Sequence, residues 1–162
     1  MPSFPLVRST LRDCSIKQDN PFPCVSKCNH PRCLTCPFLK QGQGNYTFTS
    51  TKEKRRIHDP LNFKSTNLIY LLDWCKKCGK QYIGETKRHL HRRFGEHRRS
   101  ILNYGHFPNP TPVSEHFNRA NHTINDVLLI PLDLIRSNRD SVRKAREAHL
   151  IDKAMTLDLR GQ

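Results

Sequence analysis

The sequence predicts an α+β fold: a small three-stranded, mainly antiparallel sheet flanked by helices, with an N-terminal cysteine-rich zinc-binding arm. Three observations predict it. Two β-prone runs, 68–72 and 81–83, are joined by a turn-like CKKCGK link and read as a hairpin. A helical pattern runs from about 86 to 102, with Leu90, Phe94, His97 and Ile101 on one stripe. A third β run at 126–135 is followed by a helical stretch at 141–154, with Val142, Ala145, Leu150 and Ile151 as its apolar positions.

Charge and composition narrow the function. Twenty-eight Lys and Arg stand against 14 Asp and Glu, a net charge of +14. Such an excess favours a polyanionic partner over a solubility surface or an anionic membrane. Apolar residues make up 35%, so part of the chain is expected to lack a core of its own. The length, 162 residues, suits one domain with an appendage. No apolar run approaches the length of a spanning helix, so no membrane role is expected. The N-terminus lacks the apolar core of a signal peptide, which points to an intracellular protein. The seven cysteines fall mostly in close pairs, which favours metal over a disulfide framework.

Residues 1–23 hold four prolines and little periodicity, and read as extended or disordered. Cys14 lies there alone and reads as a free thiol. In residues 24–60, a cysteine-rich segment leads into a basic linker. Cys24, Cys28, Cys33 and Cys36 are close enough in sequence to deliver four thiolates to one Zn²⁺, and His30 is an alternative ligand. So short a segment cannot bury a core, so a metal would supply its folding energy. Residues 40–60 read as loop, with a basic run at 52–56 that is either a solvated linker or a contact to a phosphate backbone.

Residues 61–162 carry the sheet. Cys75 and Cys78 sit on the hairpin link, and Gly79 suits a turn around a metal. Two cysteines cannot close a structural site. His116 and His122, on a helix predicted after Pro112, are the best complement. Between 87 and 99 there are six Lys or Arg and one acid, Glu96. Lys87, Arg88, Arg92, Arg98 and Arg99 are therefore candidate DNA-backbone contacts. Pro131 implies a bulge or an edge position in the third strand.

The hairpin and basic helix together resemble the GIY-YIG endonuclease family. The first motif stands here as Leu68-Ile69-Tyr70, with leucine where the family has glycine, and the second as Tyr82-Ile83-Gly84. Arg93 and His97 match the family's arginine and histidine, and Glu147 its single metal-binding glutamate. The cysteine pair between the motifs and HFNRANH downstream sharpen the likeness toward the endonuclease domain of Penelope-like retroelements. The family's asparagine after the last helix has no equivalent.

The resemblance implies a metal-dependent DNA endonuclease that hydrolyses phosphodiesters by nicking, as the target-cleaving domain of a retroelement. Glu147 would hold one Mg²⁺, Arg93 would grip the scissile phosphate, Tyr70 or Tyr82 would position or deprotonate the attacking water, and His97 would relay the proton. A free tyrosine is a poor base, so nearby cations would have to depress its pKa. Zn²⁺ would be structural, at one or two sites, and the resemblance points to the same Cys75, Cys78, His116 and His122. The partners implied are DNA and a reverse transcriptase in the same element protein, and the location is nuclear. The alternatives are a noncatalytic zinc-stabilised nucleic-acid-binding module, or a decayed relic. A ring-like protein-interaction domain would fit the cysteines but not the two-tyrosine hairpin.

Overall fold

The central strand, β5 (Leu68–Trp74), reads LIYLLDW, and its first five residues are fully buried. A continuous apolar run of this length suits a strand covered on both faces. It pairs antiparallel with β6 (Lys80–Thr86) on one side and β7 (Val127–Leu134) on the other. The architecture is α+β, with three helices, this three-stranded sheet and two smaller two-stranded pairings. It is seen in a computed structural model that describes residues 25–42, 44–74, 78–106, 108–119 and 121–154. The expectations for residues 1–23, and for Cys24 and Cys75, lie outside the described residues.

Pro131 acts as its sequence context implies. It lies opposite Tyr70 on an outer strand, and the β5–β7 register shifts between Ile69 and Tyr70. A residue without an N–H is tolerated where the ladder is interrupted.

The basic helix α1 (Leu90–Leu102) starts about four residues later than its pattern suggests. β6 runs on through Thr86, whose hydroxyl donates to Arg88 O and accepts from Arg88 N, both at 3.1 Å. The first helical N–H groups then find carbonyls in the loop before β5: Leu90 N donates to Ser65 O and His91 N to Phe63 O, each at 2.9 Å. These bonds satisfy donors that no helix can satisfy internally. The buried residues are Leu90, Phe94, His97 and Ile101, the stripe expected from the sequence.

The segment expected to be loop and basic linker contains a β-hairpin, β2 (Asn45–Thr47) with β3 (Lys54–Arg56). Its turn uses Lys52 at φ 59°, with Lys52 N bonded to Phe48 O at 2.9 Å. Tyr46, Phe48 and Ile57 are buried around it, a pattern masked in sequence by the cations between them. Gln81 of β6 ties the hairpin to the main sheet, accepting from Thr49 N at 2.8 Å and donating to Thr47 O at 3.0 Å. A short parallel pair joins β1 (Val25–Ser26) to β4 (Leu61–Asn62). Val25, Leu39, Tyr46, Phe48, Ile57 and Leu61 pack into the same core as β5, so residues on both sides of position 60 share one interior.

Two helices complete the frame, α2 (Pro112–Arg119) and α3 (Asp140–Ala154). On α3 the expected stripe is displaced. Val142 is 42% exposed and Ala145 is also exposed, whereas Arg143, Glu147, Leu150, Ile151 and Ala154 are buried. Polar residues occupy the first half of the buried face because Arg143 has partners there: Glu85 on β6, Asn67 Oδ1 at 2.9 Å and Asp140 at 2.9 Å. No helix among the described residues is long and apolar enough to cross a membrane.

Candidate active site

The hairpin and α1 bring four of the five predicted catalytic side chains together. Tyr70 points from β5 toward α1, and its hydroxyl lies 2.7 Å from His97 Nε2. Arg93, one turn earlier on α1, donates from Nε to the same hydroxyl at 3.0 Å. The ring of Tyr82 stands 6.5 Å from Tyr70 and 5.7 Å from His97, centroid to centroid. Tyr82, Arg93 and His97 line a cavity of about 190 Å³, together with Ser100, Thr111 and Glu96.

Gly84 makes this convergence possible. A Cβ there would lie 2.6 Å from Tyr70 Oη, 2.7 Å from Tyr70 Cζ and 2.9 Å from Tyr82 Cε1. The glycine of the second motif is thus required by space. Leu68, where the first motif departs from the family, is fully buried core and pairs with Thr86 and Leu134.

Electrostatics bear on how Tyr70 would act. A tyrosine base would need cations to lower its pKa. At Tyr70 the opposite holds: burial and the neighbouring Tyr82 push its hydroxyl well above the ordinary value, Glu147 adds to the push, and Arg93 only partly opposes it. Among protein groups alone, burial and Tyr82 favour the protonated, donating form of Tyr70. His97, 4% exposed, is held neutral, with its pKa lowered to about 3 by burial and by Arg93. With the other ring nitrogen carrying its proton, His97 Nε2 accepts from Tyr70, whose oxygen accepts from Arg93. Of the two tyrosines, half-buried Tyr82 is the one that lines the cavity.

Glu147, on α3, is 6% exposed and near enough for its charge to act on Tyr70. Mg²⁺ keeps most of its waters and takes few protein ligands, so a single carboxylate such as Glu147 could serve it.

Glu96, in sequence only the single acid of a basic run, has a larger part in the structure. It accepts from Arg93 at 2.9 Å and pairs with Arg88 at 2.6 Å. Burial would raise its carboxyl, but the bonds from Arg93 and Arg88 outweigh that and hold it below the usual range. The signal available in sequence is its position three residues after Arg93 on a helix. Arg88 is therefore partnered within the protein, and Lys87 lies 3.8 Å from Asp140. Among the described residues Arg92, Arg98 and Arg99 have no ion pair; Arg92 and Arg99 are exposed and Arg98 is half-buried.

Both predicted metal clusters form from their described members. Sγ of Cys28, Cys33 and Cys36 lie within 4.8 Å of one another, as do the ligand atoms of Cys78, His116 and His122. Cys28 and Cys36 Sγ are 3.3 Å apart, far from a disulfide bond length. Backbone N–H groups point at these sulfurs: Cys28 N at Cys36 Sγ, 3.2 Å, and Cys36 N at Cys33 Sγ, 3.3 Å. Ligands about 2.3 Å from a tetrahedral ion stand at comparable separations, so the three-cysteine cluster could hold zinc. Cys78 Sγ is 3.6 Å from His116 Nε2, and the centroids of the two imidazoles are 5.0 Å apart. Burial, His122 and Lys80 lower the His116 pKa, which favours the neutral form a metal needs. His30 places its backbone N–H, 3.5 Å, on Cys28 Sγ, and its ring accepts from Arg32 N at 3.2 Å.

The chain matches no protein-family model, no curated protein and no solved structure. The resemblance to GIY-YIG nucleases therefore rests on the motif residues alone.

Proposed function

We propose that this chain is a metal-dependent DNA endonuclease of the GIY-YIG type, the target-cleaving domain of a retroelement protein. The observation that carries this reading is the cluster Tyr70–His97–Arg93, closed around one hydroxyl beside a cavity faced by Tyr82. Isolated tyrosines in hairpins are ordinary core residues. A tyrosine hydroxyl accepting from an arginine and donating to a neutral buried histidine is a preorganised polar site, of the kind that catalysis uses.

In this reading Arg93 faces the cavity with its terminal nitrogens, and its planar fork takes the scissile phosphate. Phosphate displaces Glu96 from the guanidinium. Tyr82 orients the attacking water. Tyr70 keeps its proton and, bonded to both His97 and Arg93, holds the arginine in place beside the cavity. Glu147 would hold Mg²⁺, which supplies charge relief at the phosphoryl oxygens. Arg92, Arg98 and Arg99 track the backbone of the duplex, and zinc held at Cys24, Cys28, Cys33 and Cys36 and at Cys75, Cys78, His116 and His122 stiffens the surrounding loops. A nick leaves a 3′-hydroxyl that a reverse transcriptase in the same element protein extends in the nucleus.

A second reading, a noncatalytic zinc-stabilised nucleic-acid-binding module, is favoured by one observation. Arg93 is already occupied by Glu96. Incubation with supercoiled plasmid separates the two: the enzyme nicks with Mg²⁺ and stops with a chelator, whereas the module binds and never cuts.

A further inference from the structure

A second cavity, of about 290 Å³, opens between the β2–β3 hairpin and α3. Lys54, Arg55, Arg56 and His58 line it from the hairpin side and Arg146 from α3, with Tyr46 beside them. Two carboxylates also reach it, and each is engaged. Glu53 accepts from Arg55 Nε at 2.8 Å, and Asp133 accepts from Arg146 Nε at 2.6 Å. These bonds fix both guanidinium planes by one edge, and Arg55 also bonds the Tyr46 hydroxyl. Lys54 and Arg56 are exposed and have no carboxylate partner among the described residues. Four permanent cations thus face two neutralised acids. Tyr46 is a neutral donor, because burial raises its pKa to about 12 despite the nearby Arg55.

The lining is mostly polar and cationic, and its donors come from two separate elements. It suits a tetrahedral oxyanion better than a drug-sized apolar ligand, for which pockets are mostly apolar. Arg146 is the sequence neighbour of Glu147, so one helix spans this cavity and the candidate active site. We propose that the cavity is a second phosphate site, which takes a backbone phosphate of the bound nucleic acid away from the point of cleavage. The inference rests on the nucleic-acid reading above and gives Lys54, Arg55 and Arg56 a role in that binding.

The test is duplex binding by fluorescence anisotropy across a salt series, for the native chain, Lys54→Ala/Arg56→Ala, and the charge-matched control Lys144→Ala/Lys153→Ala on exposed positions of α3. The first variant should lower the slope of log K against log salt by about 1 for each phosphate it no longer neutralises, and weaken binding to all sequences alike. The control should leave the slope as it is. Melting temperatures should agree across all three, since every substituted residue is exposed. An unchanged slope in Lys54→Ala/Arg56→Ala overturns this inference alone. A slope change in a protein that never cuts DNA supports it while the nuclease reading falls. A native chain that binds no duplex overturns both. A poly-glutamate peptide that binds in a Lys54- and Arg56-dependent way, where duplex binding does not depend on them, makes the cavity a protein-docking surface and overturns the proposal.

Discussion

Tyr70 Oη and His97 Nε2 meet at 2.7 Å, though 27 residues separate them in sequence and both are buried. The bond ties β5 to α1, and the burial of His97 there, with Arg93 beside it, has a consequence for acid stability. His97 has a pKa of about 3 in the fold, against about 6.5 in an unfolded chain. Between those values the unfolded chain binds a proton that the folded chain does not. Stability is therefore complete above pH 6.5 and lost as pH falls toward 3, by at most about 1.4 kcal/mol per pH unit. Glu96, whose pKa is depressed, loses stability in the same direction at the acid end. Comparison with His97→Gln isolates the histidine: the variant's melting temperature should fall less steeply between about pH 6.5 and 4. Parallel curves would mean that His97 does not titrate on unfolding.

Gly84→Ala should damage the site. Its Cβ would crowd both tyrosine rings. Either Tyr70 leaves His97 and Arg93, or β6 shifts from β5. Overpacking of this kind costs about 1–3 kcal/mol. Chemical denaturation should register that destabilisation, and plasmid nicking should fall well beyond it. A variant with native stability and native nicking would remove the spatial argument for this glycine.

The parts legible in sequence are those set by local period. The α1 stripe, including His97, follows from 3.6-residue spacing, and the β5–β6 hairpin from two β-prone runs around a turn. Pro131 announces the irregularity in β7. What stays hidden depends on long-range pairing. The β2–β3 hairpin is obscured because Lys54, Arg55 and Arg56 read as a linker, while the apolar residues that bury it, Tyr46, Phe48 and Ile57, gain meaning only against the main sheet. On α3, Arg143 reads as surface because its partners Glu85 and Asn67 lie 58 and 76 residues earlier. Glu147 is recognisable by resemblance, but its burial near Tyr70 follows only from the docking of α3. Glu96 is visible as an isolated acid, yet its grip on Arg93 requires knowing that both side chains turn toward one cavity.

Arg143 holds α3 against β6 one turn before Glu147, and is only 3% exposed. Its guanidinium serves Glu85, Asn67 and Asp140 together, and Asn67 in turn donates to Ile135 O and to Ser137 O. Arg143→Met keeps much of the volume and leaves Glu85 and Asn67 without that donor. Removing one partner of a fully buried ion pair costs about 3–5 kcal/mol, and the partial exposure of Glu85 puts the expected cost near the lower end. Urea denaturation gives the number. A destabilisation below about 1 kcal/mol would show that α3 is held by its apolar packing alone.

The two thiol- and imidazole-bearing clusters predict two zinc ions per chain. Mass-spectrometric elemental analysis of purified protein should find them, and Cys36→Ser and His116→Ala should each remove one. Because ligands gathered from separate loops add binding energy to folding, a strong chelator should lower the melting temperature markedly. A metal-free chain that melts as the untreated one does would leave both clusters as unligated thiols and imidazoles.

Glu147→Gln decides between enzyme and binding module. The substitution keeps the side-chain volume on a buried face of α3, removes the charge and turns one accepting oxygen into a donor. If the carboxylate holds the catalytic cation, nicking of supercoiled plasmid should collapse while duplex affinity and melting temperature stay close to native. The ion's charge relief amounts to several kcal/mol, and each 1.36 kcal/mol is a factor of ten in rate, so the fall should reach about a thousandfold. Arg93→Lys should also be severe, since a point charge cannot reproduce a forked grip on phosphate or the bond to Tyr70 Oη. Tyr82→Phe should slow the reaction without unfolding the hairpin, because its ring stays in place against Tyr70 and His97. Full nicking by Glu147→Gln would take this residue out of the mechanism. Native protein that binds duplex and shows no Mg²⁺-dependent nicking would put the noncatalytic module in its place, with Glu96 on Arg93 as its resting and permanent state.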